Sequence, residues 1–351
     1  MSRDARHILR SLLAAIEDPA GAPPPVGGDA VADAEGLLAV ARRHRLTPML
    51  SSSGVALPPA VAAAARHDRV TTTARNLLFA GAAAECLRAI SAGGTPVVVL
   101  KGLAYERTLY AEAGVRPTAD VDLLVPSRAR DAAFRALDEL GYEPRVSAPS
   151  FDEPDYHESA WTRAGIEVDL HQAFAPLVRG AIDYDEVWAA VQPLELAGVA
   201  ANALGPAHAA VFHALHMAID HFDVPGMYLL DLARLLPTRE AAAAAEAVAR
   251  RWRCHRALDT ALALAAAFLP GWGGQHRDRP TSARAHAVID DFGLLERLSR
   301  PRQLVRKLAH FDRPIDVTRY AVVQGRRKLR ELVESRRGRS ARERLGLATR
   351  R

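Results

Sequence analysis

Residues 97–125 read VVVLKGLAYERTLYAEAGVRPTADVDLLV. The pattern predicts a strand over 97–100, a Lys101-Gly102 turn, a helix over 103–111, a loop, and a second strand over 120–125 that carries Asp120 and Asp122. Strand side chains alternate faces, so these two carboxylates point the same way, with Cα atoms about 6.6 Å apart. They sit among Val121, Leu123, Leu124 and Val125. A carboxylate pair inside an apolar run is costly to bury, and its repulsion calls for a cation, a proton or solvent. A divalent ion is the leading candidate, because Mg²⁺ takes oxygen ligands and is commonly held by one or two carboxylates.

A later strand reading, Gly165-Ile166-Glu167-Val168-Asp169-Leu170-His171, puts Asp169 and His171 on one face and Val168 and Leu170 on the other. Glu167 shares the Asp169 side, so it is an alternative ligand. Between the two acidic strands, Pro126-Ser127 starts a helix running to Leu140, with Ser127 as its N-cap. Strands near 156–163 and 165–171 are joined through Ala164-Gly165. The expected class is α+β: a small mixed sheet over 93–175, flanked by an N-terminal helical region over 1–92 and a C-terminal helical domain over 176–325.

Leu100-Lys101-Gly102, Arg116-Pro117, Asp120-Val121-Asp122-Leu123-Leu124-Val125 and Val168-Asp169-Leu170-His171 together resemble the polymerase-beta-like nucleotidyltransferase superfamily. Within it, the chain is similar to the bacterial branch called the uncharacterised nucleotidyltransferase family. The resemblance covers roughly 75–240, most strongly at 97–125 and 165–171. It implies a metal-dependent enzyme that takes a nucleoside triphosphate, ATP among the candidates, and moves NMP or phosphate to a hydroxyl or phosphate acceptor. Small molecules, peptides and proteins are all acceptors in this reading, in tailoring, resistance or toxin-type pathways. Asp120, Asp122 and Asp169 become the catalytic and metal-holding carboxylates for Mg²⁺ or Mn²⁺. Two such ions can hold the attacking and leaving oxygens of a displacement. Lys101, Gly102, Arg116 and His171 become the nucleotide-side residues. Gly102 has no Cβ, which allows close backbone approach, and the following helix start offers N–H groups to phosphate.

Each of these residues also has a plainer reading. Lys101 could be a solvated strand-end lysine. Arg116 could neutralise Asp120 or Asp122. His171 could orient Asp169, touch nucleotide or be a satisfied core histidine. On charge repulsion alone, Asp122→Asn would leave the fold intact.

The 351 residues suffice for a sizeable core, and 49% hydrophobic with 25% charged residues is ordinary for a globular chain. No apolar run approaches the ~20 residues that span a bilayer. Two cysteines give no disulfide framework and fit a reducing cytoplasm. Residues 326–351 hold eleven Lys/Arg against three Glu, a net of +8, so the overall +5 leaves −3 for residues 1–325. That basic tail could bind RNA through phosphate contacts. Helices are expected over 6–16, 31–45, from Pro58, and over 71–91, and again throughout 183–310. His208, His213, His216, Asp220 and His221 form a His-rich face without paired cysteines or a His-Glu-x-x-His pattern. The rival to an enzyme is a peptide- or protein-binding module on the same scaffold. Its discriminator is whether Asp169 faces Asp120 and Asp122.

Overall fold

The computed structural model describes residues 2–18, 34–145, 157–175, 181–274, 276, 281–293, 299–322 and 325. The basic segment 326–351 lies outside the described residues. The N-terminal helices are α1 (Ser2–Glu17), α2 (Ala34–Arg43), the single turn α3 (Thr47–Leu50) and α4 (Pro59–Ala92). In α1, Leu9, Leu12, Leu13 and Ile16 are buried at helical spacing. Pro59 occupies the first turn of α4, where its missing N–H costs nothing. The two helices expected from Pro58 and Thr71 are one 34-residue helix. Its Thr71–Thr73 run does not break it, because Thr72 packs inward and the Thr73 hydroxyl donates back to the Arg69 carbonyl at 2.9 Å.

The strands are β1 (Val98–Val99), β2 (Val121–Leu124), β3 (Glu143–Pro144), β4 (Glu158–Arg163), β5 (Ile166–His171), β6 (Val191–Leu196) and β7 (Val199–Leu204). They form one seven-stranded sheet in the order β3-β4-β5-β2-β1-β7-β6. β2 lies at its centre, antiparallel to β1 and parallel to β5, and all four of its residues are buried. β4–β5 is the hairpin expected at Ala164-Gly165, and both turn residues have positive φ. The β6–β7 hairpin was not expected: 183–310 was read as helical, yet two strands from it complete the sheet. α5 (Lys101–Leu109) crosses from β1 toward β2. After β2 comes a 3₁₀ turn, Ser127–Ala129, and then α6 (Arg130–Glu139). Ser127 does not cap this turn. Its hydroxyl donates to the Gln172 carbonyl at 3.1 Å and ties the end of β2 to the end of β5.

After the short helix α7 (Tyr184–Ala189) and the β6–β7 hairpin, the chain is helical: α8 (Pro206–Ile219), α9 (Met227–Leu235), α10 (Arg239–Arg251), α11 (His255–Phe268), α12 (Pro270–Gly274), α13 (Ala283–Asp291) and α14 (Arg300–Ala309). One hydrophobic cluster runs from Ala5 to Phe292. Phe174 joins sheet to helices through Phe212 and Trp252, with ring centroids 4.8 and 5.6 Å away. The N-terminal helices share this core. Glu17 of α1 accepts the Gly271 and Trp272 N–H groups at 3.0 and 2.5 Å, supplying a carboxylate to the start of α12. No described helix is long and apolar enough to cross a membrane.

Candidate active site

β2 and β5 carry the acidic residues. Their parallel register sets Asp122 directly opposite Asp169, and Asp120 lies one residue before β2. Each of the three offers one carboxylate oxygen, and those oxygens all lie within 4.8 Å of one another. Glu167, the alternative, lies two residues earlier on β5, where it pairs with Arg145.

Asp122 is 2% exposed and is the most engaged of the three. Its Oδ1 accepts from Lys101 Nζ at 2.8 Å and from His171 Nε2 at 2.9 Å. Its Oδ2 is buried with no hydrogen-bond partner among the described residues. Burial alone would raise this carboxyl, but the Lys101 ammonium and His171 overcome that and hold it well below the usual range. Among the described residues, Asp120 and Asp169 have no such partner. Burial, then the charge of Asp122, pushes Asp120 up to about 6 and Asp169 up to about 7. An orphaned buried oxygen beside two carboxyls that resist ionising is an oxygen-donor set suited to a hard divalent cation. Asp120, Asp122 and Asp169 would hold it.

Unusual backbone angles and two contacts build the turn before this site. Gly102 has φ near 1° and ψ −93°, breaking the helical pattern at the start of α5, and Lys101 has a positive φ of 36°. A Cβ at Gly102 would lie 2.9 Å from Thr118 Cγ2, so the close approach this glycine permits is to the loop ahead of Asp120. Leu100 N–H donates to the Asp122 carbonyl at 2.9 Å and locks turn to strand.

Arg116, expected on the nucleotide side or against Asp120 or Asp122, has Asp231 as its carboxylate partner. It is 3% exposed and grips Asp231 of α9 with Nε at 3.1 Å and Nη2 at 2.8 Å, while Nη1 donates to the Gly102 carbonyl at 3.1 Å. Tyr110 completes the Asp231 shell, donating at 2.6 Å. A planar guanidinium suits this two-pronged task. Asn76 of α4, which the sequence reading missed, clamps the same loop. Its Nδ2 donates to the Arg116 carbonyl at 2.8 Å, and its Oδ1 accepts the Thr118 N–H at 3.2 Å. A lone polar residue in a long helix gives no signal of this role.

His171 is buried and orients Asp122 rather than Asp169. Its Nδ1 lies 3.4 Å from Glu158 Oε2 on β4, and its ring stands edge-on to Phe212 at 6.2 Å. His157 is its neighbour, 6.3 Å away, with burial lowering its pKa to about 4. The His-rich helix divides its work. His208 meets Glu186 at 3.2 Å, and His213 bonds the Tyr228 carbonyl at 2.9 Å. His216 stacks on Tyr228, 3.5 Å from Asp220. Among the described residues the carboxylate triad is the group with metal-holding spacing. Arg45, also missed, is exposed in the turn after α2, and its charge acts on Asp120.

No curated protein matches the chain. Among solved structures, the antibiotic-resistance factor ANT(2'')-Ia is 14% identical, with a TM-score of 0.37 over 53% of this chain and 94% of its own. An antigenic nucleotidyltransferase-like protein from Paracoccidioides brasiliensis is also 14% identical, with a TM-score of 0.31 over 52% of this chain and 87% of its own. The family model described as "Uncharacterised nucleotidyltransferase" matches residues 30–270, well over half of the sequence. The chain therefore belongs to the uncharacterised nucleotidyltransferase family.

Proposed function

We propose that the chain is a metal-dependent nucleotidyltransferase that moves NMP from a nucleoside triphosphate to the hydroxyl of a small molecule or peptide. The observation that carries this reading is the convergence of Asp120, Asp122 and Asp169, with Asp122 Oδ2 left without a partner among the described residues. A binding module would have no use for a third carboxylate held in register with the first two.

Mg²⁺ or Mn²⁺ bound by these residues would neutralise charge on the phosphate oxygens. Lys101 and His171 fix Asp122 and keep it ionised. Asp169, set opposite Asp122 by the β2–β5 register, can take the proton of the acceptor hydroxyl as well as hold the ion. The acceptor oxygen then bonds to the α-phosphorus, the α–β phosphoanhydride bond breaks, and pyrophosphate leaves. Arg45, exposed and near enough for its charge to act on Asp120, supplies a cation for the triphosphate.

The test is thermal unfolding with ATP, GTP, CTP and UTP, each with and without Mg²⁺. A ligand at about 100 times its Kd stabilises the native state by ~2.7 kcal/mol. The expected result is an Mg²⁺-dependent rise in Tm with at least one nucleotide in the wild type and none in Asp169→Asn. No rise with any nucleotide, or an equal rise in the variant, overturns the reading.

A further inference from the structure

The buried face of α4 is formed by residues such as Ala65, Thr72, Asn76, Phe79 and Ala83. On the opposite side, Val70, Leu77 and Leu78 are 70%, 69% and 66% exposed. Ala74 and Gly81 are exposed beside them. At 3.6 residues per turn these five positions share an arc about 100° wide. No charge interrupts the stripe, and charged residues stand at its ends, Arg66 on one side and Glu85 on the other.

Gly81 is the independent clue. A glycine inside a helix is less favourable than alanine. A Cβ there would meet nothing within 4 Å among the described residues, so none of them uses the missing side chain. An approaching surface from outside would.

We propose that α4 is a self-association surface through which two copies of the chain pair antiparallel about a two-fold axis. A two-fold interface is self-complementary, so each residue must meet a fitting residue of the same helix. One register satisfies four of its five residues, with Leu78 on the flank opposite the half-buried Thr73. Val70 lies over Gly81 of the second copy, and Leu77 lies over its Ala74, large against small at both contacts. The same register brings Arg66 opposite Glu85 at each end. Glu85 also holds Arg163 of its own chain, and its side chain is 48% exposed, so it remains open to a second cation. The helix is about 50 Å long, enough to seat a paired interface. Asn76, which clamps the loop before Asp120, is the residue preceding Leu77, so the pairing would brace the candidate site from behind.

The experiment is light scattering on the full chain after size exclusion, with two variants. Leu77→Glu sets a charge in the stripe. Gly81→Leu fills the gap that Val70 needs while favouring the helix in a monomer. The expected wild-type mass is twice the 37.9 kDa of one chain, falling to one chain in both variants, with Gly81→Leu keeping its helical circular dichroism. A wild type that is monomeric at every concentration overturns the proposal and leaves the stripe to a different protein. A dimer that survives both substitutions also overturns it, because the contact then lies elsewhere.

Discussion

Asp122 and Asp169 face each other across β2 and β5, yet their charges rest on opposite footings. Asp122 is ionised because Lys101 and His171 surround one of its oxygens. Asp169 lacks such a cation, and burial with the charge of Asp122 raises it. Neutralising the two residues should therefore have opposite effects. Asp122→Asn strands the buried Lys101 ammonium, and breaking one half of a buried pair costs about 3–5 kcal/mol. The variant should unfold at markedly lower temperature without any ligand. That reverses the expectation from repulsion alone, because the sequence shows which carboxylates share a face but not which cation is packed against one of them. Asp169→Asn removes a disfavoured charge and should keep or raise the metal-free Tm. Calorimetry of the two variants decides the matter, and equal destabilisation would contradict this account of the site.

At the scale of elements, the strand–turn–helix unit around Gly102 was legible because period-2 alternation and a Lys-Gly break are local signals. The partners of that unit were not legible. Arg116 reaches Asp231 across 115 residues, and Asn76 reaches Arg116 across 40. No local pattern marks either contact. The β6–β7 hairpin was hidden differently. Its turn is Ala197-Gly198, with positive φ at both residues, the same dipeptide that announced β4–β5. Around it, however, Ala200, Ala201 and Ala203 favour helix, and Pro193 is tolerated only because β6 is an edge strand. The Gly102 turn offers a test of element fit. Gly102→Ala drives a methyl against Thr118 Cγ2, and overpacking of this kind costs roughly 1–3 kcal/mol. It should also shift the loop before Asp120 and weaken Mg²⁺-dependent nucleotide binding. Adding Thr118→Ser deletes the clashing methyl, and the double variant should recover both stability and binding. A double variant no better than Gly102→Ala would show that the turn needs glycine for its backbone angles instead.

For the whole molecule, the protons held by the folded chain set its stability against pH. His44, His157, His213 and His310 are each lowered to about 4 by burial. Unfolded, they take protons below their ordinary 6.5, so their contribution is complete above 6.5 and is lost as pH falls toward 4. Asp120 and Asp169 act with the other sign. Their folded values of about 6 and 7 exceed the ordinary 3.8, so their contribution is complete below 3.8 and is lost as pH rises through 6 and 7. On the acid side these histidines, with His216 and His221 also lowered by burial, outweigh the raised carboxyls of Asp120, Asp169 and Asp220. Above 6.5 the unfolded histidines are still losing protons while the folded Asp169 loses its own, and the two effects nearly cancel. The metal-free Tm should climb from pH 4 to about 6.5 and then level off toward pH 8. Two changes should turn that levelling into a continued rise. Asp169→Asn removes the titrating group, and Mg²⁺, which needs ionised carboxylates, stabilises the native state more as they lose their protons. Differential scanning calorimetry across this range, with and without Mg²⁺, makes the comparison. A metal-free wild type whose Tm rises between pH 6.5 and 8 as steeply as that of Asp169→Asn would mean that Asp169 does not hold its proton as its burial beside Asp122 implies.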